Sequence, residues 1–213
     1  VEIINEDGTM ARRPDLEIFA QEHGLKIGTI ADLIHYRTVN ERTVEKIRSE
    51  KLPTQYGDFQ LELFRDLIDG QSHIALVKGD VMTVDAPFVR VHVADPLRDL
   101  MMAVKAKSSG WSLEKALSFL GNHTEPGVVL LLGDSFERHN IDDLVDSFFS
   151  GRQPLRPTTG DGTGIYRTIG TGSQILRDLG LTKMRLLSSP MRFNALSGFD
   201  LEIVEYVESD AAE

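Results

Sequence analysis

Apolar and polar residues alternate in two different ways along this chain. Over residues 1–42 short apolar runs are separated by helix-like spacing. Val1 to Ile4 ends a strand, Asn5-Glu6-Asp7-Gly8 is a turn cluster, and Pro14 opens a helix over Leu16, Phe19 and Ala20. Gly24 stops that helix, and Leu25 to Ile27 predicts a second strand closed by Gly28. Thr29-x-x-Asp32 has the form of a capping box, with Ile30, Leu33 and Ile34 on the apolar side of the helix it opens. This is a βαβα rhythm, that of a sheet covered by helices. The strand pattern is already under way at Val1, which suggests a piece of a longer protein.

From Val44 the rhythm becomes strand-like. Val44 to Leu52, Phe59 to Leu67, His73 to Lys78 and Phe88 to Val93 are separated by Gly, Asp and Pro turns. Beyond Pro96 helices return, over Leu97 to Lys105 and over Ser112 to Leu120, the latter capped by Ser112. Val128 to Leu132 is continuously apolar and predicts a fully buried strand. Ile141 to Phe149 predicts an amphipathic helix, Arg152 to Gly164 a loop, and Ser173 to Leu179 a helix stopped by Gly180. A strand at Met184 to Leu187, a short helix at Arg192 to Leu196 and a strand at Leu201 to Val207 complete the pattern. The division that follows is 1–42, 43–208 and an acidic tail at 209–213. The fold class is α/β (α+β): a mixed sheet with flanking helices, preceded by a β-rich segment and the small βαβα piece.

Composition narrows the function classes. The 213 residues are 41% hydrophobic and 26% charged, the balance of a soluble globular protein. A net charge of −10 disfavours a binder of nucleic-acid backbones, and no apolar run approaches a membrane span. With no cysteine there is no disulfide, no thiolate metal site and no thiol nucleophile, and the expected location is the cytoplasm.

Two stretches carry a family resemblance. Glu2-Ile-Ile-Asn-Glu-Asp-Gly-Thr-Met-Ala-Arg12, with Pro14-Asp-Leu16 and Lys26 to Leu33, resembles the carboxy-terminal end of 3,4-dihydroxy-2-butanone 4-phosphate synthase. Leu52-Pro-Thr-Gln-Tyr-Gly-Asp-Phe59, Ala75-Leu-Val-Lys-Gly-Asp80 and Val89-Arg-Val-His92 resemble the start of a GTP cyclohydrolase II domain. Gly172-Ser-Gln-Ile-Leu-Arg-Asp-Leu-Gly180, Lys183 to Leu187 and Gly198 to Glu205 resemble its finish, while residues 93–165 match poorly. The resemblance implies the bifunctional architecture of riboflavin biosynthesis and a homodimer.

The resemblance also implies a chemistry against which the residues can be read. Opening the imidazole ring of GTP needs an activated water and a polarised carbon. The resembled enzymes supply both through a zinc ion held by three cysteines. In this chain Arg90-Val-His92 is followed by Val93-Ala-Asp95-Pro-Leu-Arg98-Asp99, so no thiolate remains. His92, Asp95 and Asp99 are the nearby alternatives, and His92 reads first as a satisfied, partly buried histidine. No metal site and no cofactor are therefore expected, although the family uses zinc and magnesium. Arg90 stays at its family position as a ligand-binding candidate.

In the motif that contacts the nucleotide, Glu137 falls at the family glutamate, Arg138 replaces a glycine and His139 an arginine. Glu137 and Arg138 are either ligand contacts or part of a solvated loop. Arg167 occupies the position of the family's triphosphate arginine, but Ile165 stands where an aspartate would be. Arg167 either clamps an anion or lies on the surface beside Tyr166. Ser188, Ser189 and Arg192 form a strand-to-helix turn that offers backbone N–H groups to an anion. Gly160 to Gly164 lacks the ending of a P-loop and reads as a flexible loop. Glu2 falls at a catalytic glutamate of the synthase family, whose other catalytic motifs are not in this chain. Asn122-His-Thr-Glu125 looks like one of them, but it sits in the other domain.

The leading expectation is a riboflavin-biosynthesis protein whose cyclohydrolase-like domain has lost its zinc cysteines. It would act as a regulatory, interaction or nucleotide-sensing module for the fused synthase or for a separate GTP cyclohydrolase II. The alternatives are an active GTP cyclohydrolase II with substituted metal ligands, and an extension that only stabilises the synthase.

Overall fold

A computed structural model describes residues 2–28, 33, 36–37, 40–94, 96–103, 110–133, 163–190 and 200–209, with backbone alone for 96 and 163–168. The chain divides into two compact units, Val1–Asn40 and Glu41–Glu213.

In the first unit, helix α1 spans Arg13–Glu22, with Pro14 in its first turn and the Asp15 carboxylate accepting from the Arg12 N–H at 2.8 Å. An isolated bridge joins Ile4 to Met10 across the turn that the Asn5–Gly8 cluster predicts. Leu25 to Ile27 forms no strand, contrary to expectation. Leu25 and Ile27 are 56% and 54% exposed, and no described strand pairs with them. An apolar run becomes a strand only where a neighbour takes its hydrogen bonds.

The second unit is built on one seven-stranded sheet. The strands are β1 (Val44–Thr54), β2 (Gly57–Asp66), β3 (Ser72–Lys78), β4 (Phe88–Val93), β5 (Gly127–Leu132), β6 (Lys183–Leu187) and β7 (Glu202–Val207). Their spatial order is β1-β2-β3-β5-β4-β6-β7. The first three pair antiparallel, as short Gly- and Asp-containing turns allow, and β3 continues antiparallel onto β5. β5, β4, β6 and β7 run parallel, which requires crossovers. Helices α2 (Pro96–Asp99, one turn) and α3 (Leu113–Asn122) lie between β4 and β5, and α4 (Thr163–Asp178) precedes β6.

β5 reads Gly-Val-Val-Leu-Leu-Leu because it is covered on both faces. Val128 and Leu130 join Phe64, Val89, Ile175, Leu176 and Met184 on the side of α4. Val129 joins Phe59, Phe88, Trp111, Ala116 and Leu120 on the side of α3. Val128, Val129 and Leu130 are fully buried, each worth about 1.5–3 kcal/mol by transfer from water. Lys78, from β3, donates its ammonium to the carbonyls of Leu120, Gly121 and His123 and so caps the C-terminus of α3.

Helix α4 starts ten residues earlier than the expected Ser173, inside what the sequence marks as loop and poor match. Gly164, Gly170 and Gly172 lower its propensity, but Ile175 and Leu176 are fixed by the core. Polar contacts fix it as well. Thr171 donates to the buried Asp66 carboxylate at 3.0 Å. The Gln174 side-chain oxygen accepts from the N–H and hydroxyl of Thr43 at 2.9 and 2.8 Å, and its amide donates to the Glu41 carbonyl. Of the expected helix Leu97 to Lys105, α2 is the described part; Ile141 to Phe149 and Arg192 to Leu196 lie outside the described residues. No described helix is long and apolar enough to cross a membrane.

Gln174→Ala leaves the Thr43 N–H and hydroxyl without their acceptor in a part-buried place. It is expected to cost about 1–3 kcal/mol in urea unfolding. Arg42→Ala, which breaks the exposed ion pair to Asp178, is expected to cost under about 1 kcal/mol.

Candidate functional site

The parallel strands bring their C-terminal ends to one edge of the sheet, where α/β proteins place ligands. Val93, Gly133 and Ser188 leave β4, β5 and β6 there. Two candidate residues, Arg90 and His92, share one face of β4 with Phe88, because alternate residues of a strand point the same way.

Arg90 is bound internally. Its guanidinium donates to the Leu187 carbonyl at 2.9 Å and to the Trp111 carbonyl at 2.8 Å, and its buried Nε has no hydrogen-bond partner. Burial first, and the charge of Arg98 second, lower its pKa to about 10, with Asp99 opposing the shift. It is still a cation at neutral pH. Trp111 in turn donates its indole N–H to the Val207 carbonyl at 2.6 Å, and the Ser188 N–H bonds to Leu186 and Val207 carbonyls. The ends of β4, β6 and β7 are thus stitched together through one arginine and one tryptophan. The Ser188 N–H is spent within this stitch, and its hydroxyl donates to the Ser189 carbonyl; Ser189 is exposed.

His92 is 5% exposed and meets Asp99, 8% exposed, with Nε2 and Oδ2 2.7 Å apart. The histidine is therefore the buried, satisfied residue the sequence suggests at this nitrogen, while its Nδ1 has no hydrogen-bond partner. Its partner lies seven residues on, delivered by the single turn of α2.

His73 was not singled out by the sequence. It is 5% exposed on β3, and its Nδ1 accepts from the Gly133 N–H at 3.0 Å, holding the first residue after β5. Gly133 is required there: a Cβ would lie 2.1 Å from the Ser72 carbonyl oxygen. A histidine opposite a glycine that ends a buried strand is the signal that would have found it.

Arg167 lies within α4, its side chain undescribed, and Glu137, Arg138 and Arg192 lie outside the described residues, as does Asp95. Glu2 is exposed in the first unit. Glu125, of the Asn-His-Thr-Glu stretch, pairs with Arg185, which holds its carboxyl below the ordinary range. The Arg185 guanidinium lies over the Phe88 ring, 3.7 Å from its centroid, at the opposite end of β4 from His92.

A mixed sheet with helices on both faces and polar residues at the ends of its parallel strands defines an α/β domain. The chain belongs to the GTP cyclohydrolase II family, whose model matches residues 45–208, and residues 1–36 match 3,4-dihydroxy-2-butanone 4-phosphate synthase. It is 50% identical over 209 residues to a 3,4-dihydroxy-2-butanone 4-phosphate synthase of Pseudomonas aeruginosa, covering 98% of this chain and 55% of that protein. It is 37% identical to the riboflavin biosynthesis protein RibBA of Aquifex aeolicus, covering 97% and 52%. A solved structure of RibBX, a two-domain 3,4-dihydroxy-2-butanone 4-phosphate synthase from A. baumannii, aligns with TM-score 0.63 at 48% identity, covering 96% of this chain and 52% of that one. The chain spans about half the length of the curated relatives it matches.

The donor set does not suit the zinc ion that the family resemblance implies. The chain has no cysteine, and among the described residues no three His, Cys, Asp or Glu side chains converge.

Arg90→Met removes both donors to the strand-end carbonyls and is expected to destabilise the domain by about 2–4 kcal/mol. Trp111 is the single tryptophan, 3% exposed, so its emission is expected to shift to the red in that variant at low denaturant.

Proposed function

We propose that this chain belongs to a two-domain 3,4-dihydroxy-2-butanone 4-phosphate synthase of riboflavin biosynthesis. In this reading its GTP cyclohydrolase II-like domain no longer opens GTP. It serves the fused synthase, or a separate GTP cyclohydrolase II, as a regulatory, interaction or nucleotide-sensing module. One observation carries the proposal: the family match runs from residue 45 to 208, yet not one cysteine is present. Without thiolates there is no ligand set of the family's kind to lower the pKa of a bound water.

Two further facts support it. Relatives from Pseudomonas, Photobacterium and Neisseria at 40–50% identity carry the synthase name alone, whereas the RibBA proteins of Aquifex aeolicus and Phocaeicola vulgatus are 37% and 35% identical. Arg90 and the Ser188 N–H, which the family pattern would offer to a nucleotide, are engaged with carbonyls of this chain. The proposed assembly is a homodimer in the cytoplasm with no nucleic-acid or membrane partner, in keeping with the net charge of −10.

The deciding assay incubates the purified protein with GTP, zinc and magnesium and follows formate and the diaminopyrimidine product. The expected outcome is formate release equal to the control without protein. Product above that control, dependent on His92, would replace this reading with an active cyclohydrolase using substituted ligands. A GTP titration then separates the roles: saturable binding without turnover marks a sensor, and no binding marks a contact module.

A further inference from the structure

We infer that the buried His92–Asp99 pair, and no metal ion, ties the segment after β4 to the end of that strand. The inference deepens the functional reading above, because it concerns the same strand end and says what holds it.

The segment has two anchors. Asp99, at the end of α2, reaches His92 at 2.7 Å, and the Ala103 N–H bonds to the Leu97 carbonyl at 2.9 Å. Between them Leu100, Met101 and Met102 are 72%, 71% and 61% exposed, so apolar burial contributes little to holding this stretch. Met102 has φ +52°, a left-handed conformation that a side chain other than glycine adopts at a cost. A local cost with little burial to offset it needs firm polar contacts nearby, and the His92–Asp99 contact is a buried one.

The pair also does electrostatic work for its surroundings. Arg90 lies two residues before His92 on the same face, and Arg98 precedes Asp99; the two guanidinium charges oppose each other, and Asp99 offsets that repulsion. A divalent cation added among these groups would meet the positive charges of Arg90 and Arg98. A carboxylate paired with an imidazole closes the same span, between a strand end and the chain that leaves it, without importing charge. A metal site in this position would instead draw its ligands from both sides of the span, so cross-linking by an ion and cross-linking by the pair are alternative solutions to one problem.

The test uses the full chain, purified without chelator, and never measures GTP. Zinc content is expected well below one per chain, and the melting temperature is expected to be the same with and without EDTA. His92→Ala and Asp99→Ala should each lower the melting temperature by roughly 6–15 °C, since each removes a contact made in a buried place. The double variant should fall little further than the worse single one. Asp99→Asn, which keeps an acceptor for the imidazole, should lie between the wild type and Asp99→Ala. Chymotryptic cleavage at Leu100 to Met102, read at a temperature where every variant is folded, should accelerate in both alanine variants.

One zinc per chain, a melting temperature lowered by EDTA, fully additive single variants, or unchanged cleavage at Leu100 to Met102 would each overturn the inference. GTP turnover would sink the functional reading while leaving these measurements to decide the pair on their own.

Discussion

Strand β5 has no solvent side, and the second unit is arranged around that constraint. A strand of Val128, Val129, Leu130 and Leu132 needs a hydrophobic layer above and below and a hydrogen-bonding neighbour on each edge. β3 supplies one edge antiparallel and β4 the other in parallel, while α3 and α4 bring the two layers. Polar side chains gather at the strand ends, where Gly133 and His73 close one row and Arg90, Trp111 and Ser188 another. The strand end is thus a rigid frame of side chains bonded to carbonyls, built by the same packing that makes the core.

That frame spends most of its described polar groups within the chain, with Arg90 Nε and His92 Nδ1 the exceptions. At this edge the arginine, the histidine and one backbone N–H of the turn already have partners within the chain. The domain retains the scaffold of the GTP cyclohydrolase II family and spends those groups on its own cohesion.

The strand framework was legible in the sequence because its signals are local. Val44 to Leu52, His73 to Lys78, Phe88 to Val93 and Val128 to Leu132 each lie within the strands observed, and Ser112 caps α3 by accepting from the Lys115 N–H as its position suggests. What escaped depends on partners distant in sequence. Three glycines obscured the start of α4, which is held by Asp66 and Thr43, more than a hundred residues away. The strand-like Leu25 to Ile27 failed for the converse reason, having no described partner. At the site, Arg90 and His92 could be picked out by family spacing, but their commitments to Leu187, Trp111 and Asp99 follow only from three-dimensional placement. His73 carried no motif at all.

The change from antiparallel to parallel pairing at β5 bears on the order in which the domain can be assembled during synthesis. The meander β1-β2-β3 closes through near neighbours and can form as soon as residue 78 has emerged. The edge of β3 that β5 will occupy then stays open until residue 132 is made, and β7, whose Val207 carbonyl receives Trp111, arrives only once residue 207 is made. A nascent chain therefore carries an unpaired apolar edge while residues 79–132 are being added, the kind of surface that chaperones hold.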